Sequence, residues 1–145
     1  MSRAVIIYSR KQKERMKYMS IEILLDRKNR CLVMLSGEID HHNAARIRMK
    51  IDVAIDTNCP SEVFLDFSNV TFMDSSGIGL VMGRYRILRE YGATLYVANC
   101  KGAIRKVMQL SGMNRLAKFV EGDLQSRFVS NLKEVKKNEQ TISAQ

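Results

Sequence analysis

Between Glu62 and Gly92 the spacing of apolar side chains changes once, from that of a strand to that of a helix. EVFLDF (Glu62–Phe67) is a near-continuous apolar run, the pattern of a strand buried on both faces of a sheet. Ile78, Val81, Met82, Tyr85 and Leu88 then recur at three- and four-residue steps, so the chain leaves the strand as a helix, which Gly92 ends. The same succession is repeated on either side. Upstream, Ala44, Ile47, Ile51, Ala54 and Ile55 keep a helical period, with Asp40 placed to cap the first turn. Downstream come a strand, ATLYVA (Ala93–Ala98), and a helix with Ile104, Val107 and Met108 on one face that stops at Gly112. After LAKFVEG a last helix carries Leu124, Phe128, Leu132 and Val135. At the front, IEILLD and CLVMLSG flank the polar turn RKNR and read as a hairpin. The order β–β–α–β–α–β–α–(β)–α predicts an α/β fold: a single domain whose small mixed sheet, mainly parallel, is flanked by about four helices.

A chain of 145 residues fits one such domain, which at that size buries enough apolar surface to fold without metals or disulfides. Residues 1–20 read as a basic leader, 21–135 as the domain and 136–145 as a polar tail. The formal charge of +9 is lopsided. Residues 1–19 hold Arg3, Arg10, Lys11, Lys13, Arg15 and Lys17 against the single acid Glu14, so five of the nine net charges sit in the leader. Such a segment is either a frayed, solvated tail or an arm that docks on nucleic acid or a membrane surface. No apolar run reaches the roughly 18 residues that span a bilayer, and AVIIY (Ala4–Tyr8) is too short for a secretory signal. A cytoplasmic protein without stable membrane insertion is expected. Cys31, Cys59 and Cys100 are odd in number and form no CxxC, which suits a reducing compartment; Cys31 and Cys100 lie in apolar stretches and read as packing residues.

The connection FMDSSG (Phe72–Gly77) lies where the strand passes into the helix, the end of a parallel sheet at which functional crevices form. The first turn of a helix has unpaired N–H groups and a partial positive charge. Ser75 or Ser76 can therefore cap it, and a phosphate attached there would be accommodated. Gly77 and Gly79 strip side chains from the turn and would let another protein approach closely. Both readings of the serines stand: helix caps, or a hydroxyl that a kinase modifies. Enzyme chemistry has little support. A serine hydrolase needs GxSxG and a later histidine, whereas His41 and His42 precede the serines. Adjacent histidines point about 100° apart on a helix and make a poor metal pair, and the phosphate loop GxxxxGK[ST] is absent. No catalytic residue, metal or cofactor is expected.

Three stretches, LSGEIDHHNA, VFLDFSNVTFMDSSGIGLVMGRYR and VMQLSGMNRLAKF, resemble the signature segments of STAS-domain anti-sigma factor antagonists, most closely the sporulation anti-anti-sigma branch. The resemblance covers roughly Ile21 to Leu132. It implies a protein that controls transcription by partner switching. The unphosphorylated form binds an anti-sigma factor serine kinase and frees the sigma factor; phosphorylation of Ser75 abolishes binding; a serine phosphatase restores it. It also implies a partner-binding face of Asp40, Asp74, Ser75, Ser76, Gly77 and Arg84. In that face Arg84 resembles a basic contact to the kinase, and Asp40 resembles an acid close to the modified turn. Without the resemblance, Arg84 reads as a solvated helix residue and Asp40 as a cap. Two other readings remain: a STAS module of a different system, such as general stress control or lipid transport, and binding of nucleic acid or membrane through the leader. Nucleic acid is the less expected partner.

Overall fold

The computed structural model describes residues 19–132. The leader through residue 18, the tail 136–145 and Val135 of the last predicted stripe lie outside them. In chain order the elements are β1 (Met19–Leu25), β2 (Arg30–Ile39), α1 (Ala44–Asn58), β3 (Glu62–Met73), α2 (Ser75–Glu90), β4 (Thr94–Ala98), α3 (Gly102–Leu110), a 3-10 turn (Met113–Arg115), β5 (Lys118–Val120) and α4 (Leu124–Val129). The five strands lie side by side in chain order, β1 antiparallel to β2 and every later pair parallel. The mixed sheet and its flanking helices are those the hydrophobic periods predict.

Helices α1, α2 and α3 pack Ile47, Ile51, Ile55, Val81, Leu88 and Met108 on one face of the sheet, against Ile23, Val33, Leu65 and Val97. Helix α4 covers the other with Leu124 and Phe128, which meet Leu24, Leu32, Phe64 and Ala98. The two layers explain why Val63 to Phe67 are all buried: odd positions face three helices, and Phe64 stacks on Tyr96 at 4.3 Å with Phe128 edge-on at 5.7 Å. Burying side chains of that size contributes about 1.5–3 kcal/mol each.

Several boundaries differ from those the sequence suggests, each for a reason of pairing. The first strand begins at Met19, not Ile21, because Met19 and Ser20 pair with Gly37 and Ser36 and are buried. Strand β3 does not stop at Phe67; the polar SNVTF continues it, because residues 69–73 pair with the end of β2. Two register shifts, between Met34 and Ser36 and between Gly37 and Glu38, bend that ribbon, and β4 pairs no further than Asp66. The ends of β2 and β3 therefore run past the rest of the sheet. Helix α1 starts at Ala44, so His41 and His42 sit in the turn before it. The last helix ends at Val129, and Leu132 instead forms an isolated antiparallel bridge with Asp26.

Candidate functional site

Where β3 passes into α2, Asp74 has extended backbone (φ −94°, ψ −171°) and is the N-cap. Its Oδ1 accepts hydrogen bonds from the Ser76 N–H, at 2.9 Å, and from the Ser76 hydroxyl. Oδ2 accepts the His41 N–H at 3.2 Å and lies 3.7 Å from His41 Nδ1. The Ser76 hydroxyl above all, with these N–H donors, holds the Asp74 carboxyl below the usual carboxylate range. The cap is thus a carboxylate, and neither serine performs that task. Ser76 is used up in supporting Asp74. Ser75, the first residue of α2, faces solvent.

The loop after β2 is stitched to this turn. The Asp74 N–H donates to the Ile39 carbonyl at 3.1 Å. Asp40 Oδ1 accepts the His42 and Asn43 N–H groups at 2.9 and 3.1 Å, and the Asp40 carbonyl accepts the Ala44 N–H at 2.9 Å. Asp40 therefore orders the turn that enters α1 rather than capping the helix itself. The structure brings Asp40, Asp74, Ser75 and Ser76 to one end of the sheet.

Two sequence expectations are corrected. Gly77 does not bare the turn for a partner: it is buried, and a Cβ there would run into the Met73 side chain, with Ile39 Cγ2 3.5 Å away. It lets α2 seat on the sheet. Gly79 and Gly83 do face open space, and with Ser75 they lie four residues apart on the outward side of α2. Arg84 is not a solvated position. It is 4% exposed, with Nε 2.8 Å from Asp52 Oδ1 of α1 and Nη1 donating to the Leu80 carbonyl at 3.4 Å. The Nε–H is not aligned on the oxygen, so the contact is an ion pair rather than a hydrogen bond. Burial lowers the Arg84 pKa and raises that of Asp52, and each charge opposes the shift of the other. A contact between Arg84 and a partner would require it to leave this seam.

Asp52 is the residue the sequence reading missed. It stands on the side of α1 that meets α2, and an acid and a base on facing helices are a weak signal before the facing is known. Among the described residues no group of three or more His, Cys, Asp or Glu is placed to hold a metal ion, and no helix is long and apolar enough to cross a membrane. The Cys31 and Cys100 thiols are each pushed up to about 12, chiefly by burial, so neither is poised as a nucleophile.

Comparison with known proteins gives a consistent picture. The STAS domain pattern matches residues 22–126. The anti-sigma F factor antagonist of Paenibacillus polymyxa is 31% identical over 93 residues, which span 64% of this chain and 80% of that protein. That of Lysinibacillus sphaericus is 39% identical over 82 residues, 57% of this chain and 70% of its own. The solved structure of the anti-sigma factor antagonist SpoIIAA in its unphosphorylated form superposes with a TM-score of 0.66 at 30% identity, covering 74% of this chain and 92% of that one.

Proposed function

The chain belongs to the STAS-domain family of anti-sigma factor antagonists, and from that premise we propose that its unphosphorylated form binds an anti-sigma factor serine kinase, frees a sigma factor, and lets go when Ser75 is phosphorylated. It acts by binding, in the cytoplasm, with no catalytic step of its own, and a serine phosphatase returns it to the binding form. The similarity to anti-sigma F factor antagonists supports a place in sporulation.

One observation carries this reading: Ser75 is exposed beside an ionised cap, while the neighbouring Ser76 hydroxyl is bound to that cap. A phosphate on Ser75 adds about −1.5 to −2 charges next to Asp74. Any face that pressed on this turn must then meet a bulkier, more acidic surface, so affinity falls through repulsion and desolvation. In this reading Asp40, Asp74, Ser75 and Ser76 form the contact surface with the outward side of α2. Gly77 and Arg84 support it from beneath.

The test is affinity for the cognate kinase together with mass spectrometry after incubation with kinase and ATP. The phosphate is expected on Ser75 alone. Ser75→Ala should bind like the unmodified protein, whereas Ser75→Asp should bind at least tenfold more weakly. An acid in the first turn favours a helix, so weak binding by the Asp variant reports on the surface and not on the fold. Phosphate mapped to Ser76, or equal binding by the two variants, overturns the assignment.

A further inference from the structure

Two histidines stand against the capped turn, and the switch described above makes no use of them. His41 is tied to the cap by its backbone: its N–H donates to Asp74 Oδ2 at 3.2 Å. Its imidazole is 73% exposed, with Nδ1 3.7 Å from the same oxygen and the ring 4.0 Å from that of His42. The ring is therefore anchored at its root and mostly exposed to solvent. The charged and titratable groups around it are Asp74 at the start of α2, Asp40 and His42 in its own loop, and Glu38 at the end of β2, whose carbonyl accepts from Asn43.

A phosphate on Ser75 would sit at the first position of α2, where helix N–H groups ordinarily receive an anion. Here two of those groups are already engaged. The Ser76 N–H donates to the Asp74 carboxylate and the Gly77 N–H to the Asp74 carbonyl, at 2.9 and 3.0 Å. Drawing on them would dismantle the cap. Asp74 itself offers only negative charge, which leaves a new anion in need of a cation that can move.

We propose that His41 is a positioning residue for the modified form: its imidazolium turns from Asp74 to the phosphate on Ser75 and holds that phosphate against the cap. The inference rests on the reading of Ser75 as the modified residue. It adds a dependence on pH. Histidine and a phosphoserine monoanion both titrate near pH 6–6.5, so the pair exchanges charge in the physiological range. Favourable pairing raises the His41 pKa and lowers the second phosphate pKa. The coupling is reciprocal between the two protons: ionising the phosphate strengthens the imidazole's hold on its proton as much as charging the imidazole weakens the phosphate's.

The experiment uses the full-length chain with phosphoserine encoded at position 75 during translation, so no kinase is needed. Histidine titrations are followed by proton and nitrogen NMR, and the phosphate by phosphorus NMR. Relative to the unmodified protein, the His41 titration should move to higher pH, and by more than that of His42. His41→Gln keeps the backbone N–H bond to Asp74 and should raise the second phosphate pKa. An unchanged His41, an equal or larger shift at His42, or a phosphate indifferent to His41→Gln overturns the proposal. A kinase that leaves Ser75 unmodified would count against the switch while leaving this measurement intact.

Discussion

Gly77 and Gly79 are two residues apart and do opposite things. Gly77 packs on Met73 and Ile39, and Gly79 has nothing within 4 Å of where a Cβ would stand. Glycine inside a helix costs about 0.5–1 kcal/mol relative to alanine unless the space is needed. Gly79→Ala should therefore stabilise the protein by about that amount, whereas Gly77→Ala must displace Met73 and should destabilise it by about 1–3 kcal/mol. Urea unfolding of the two variants reads the difference directly. Equal effects would mean that α2 is not seated on β3 as described. Side-chain direction decides the case, and it cannot be read from a GxG in a sequence. The same holds for the two serines. Their adjacency in FMDSSG makes them look alike, but helix geometry sends one hydroxyl to Asp74 and leaves the other residue in solvent.

The seam between α1 and α2 shows how an apolar stripe can mark the inner side of a helix without naming every residue on it. The apolar stripe Ile78, Val81, Met82, Tyr85 and Leu88 faces the core, with Val81 and Leu88 buried and the other three partly so, and the buried positions also include Gly77, Leu80 and Arg84. A cation in the buried phase is invisible to a rule that sends charge outward. Once buried, it depends on Asp52. Removing one member of a buried ion pair strands the other, at a cost of about 3–5 kcal/mol when both are fully enclosed. Asp52 keeps a side-chain exposure of 31%, which moderates that figure. Asp52→Ala is expected to cost about 1–3 kcal/mol. Arg84→Glu should be worse, because it faces Asp52 with a second acid. The double variant Asp52→Leu with Arg84→Met should recover most of the loss, since matched apolar replacements often equal such a pair. A double-mutant cycle by denaturant titration checks this, and additive effects would show that the two charges are not coupled.

Among the described residues, the sheet, the helices and both clusters of buried side chains lie between Met19 and Leu132. Residues 1–18 keep no clear apolar period, so a chain beginning at Met19 should unfold cooperatively, with a melting temperature within a few degrees of full length by circular dichroism. Loss of the transition would assign the first 18 residues to the core. That the sequence alone determined so much of this protein follows from local physics. The switch from a continuous apolar run to a period of 3.6 marks each strand and helix without reference to anything distant, and the alternation of the two fixes a mainly parallel sheet. The position of FMDSSG at the end of a strand was legible for the same reason. Tertiary structure decided what depends on partners far along the chain. SNVTF became strand because β2 lay beside it, Gly77 and Arg84 turned inward because Met73 and Asp52 were there to receive them, and His41 met Asp74 across 33 residues. Such contacts are set by how the elements pack, and no local spacing records them.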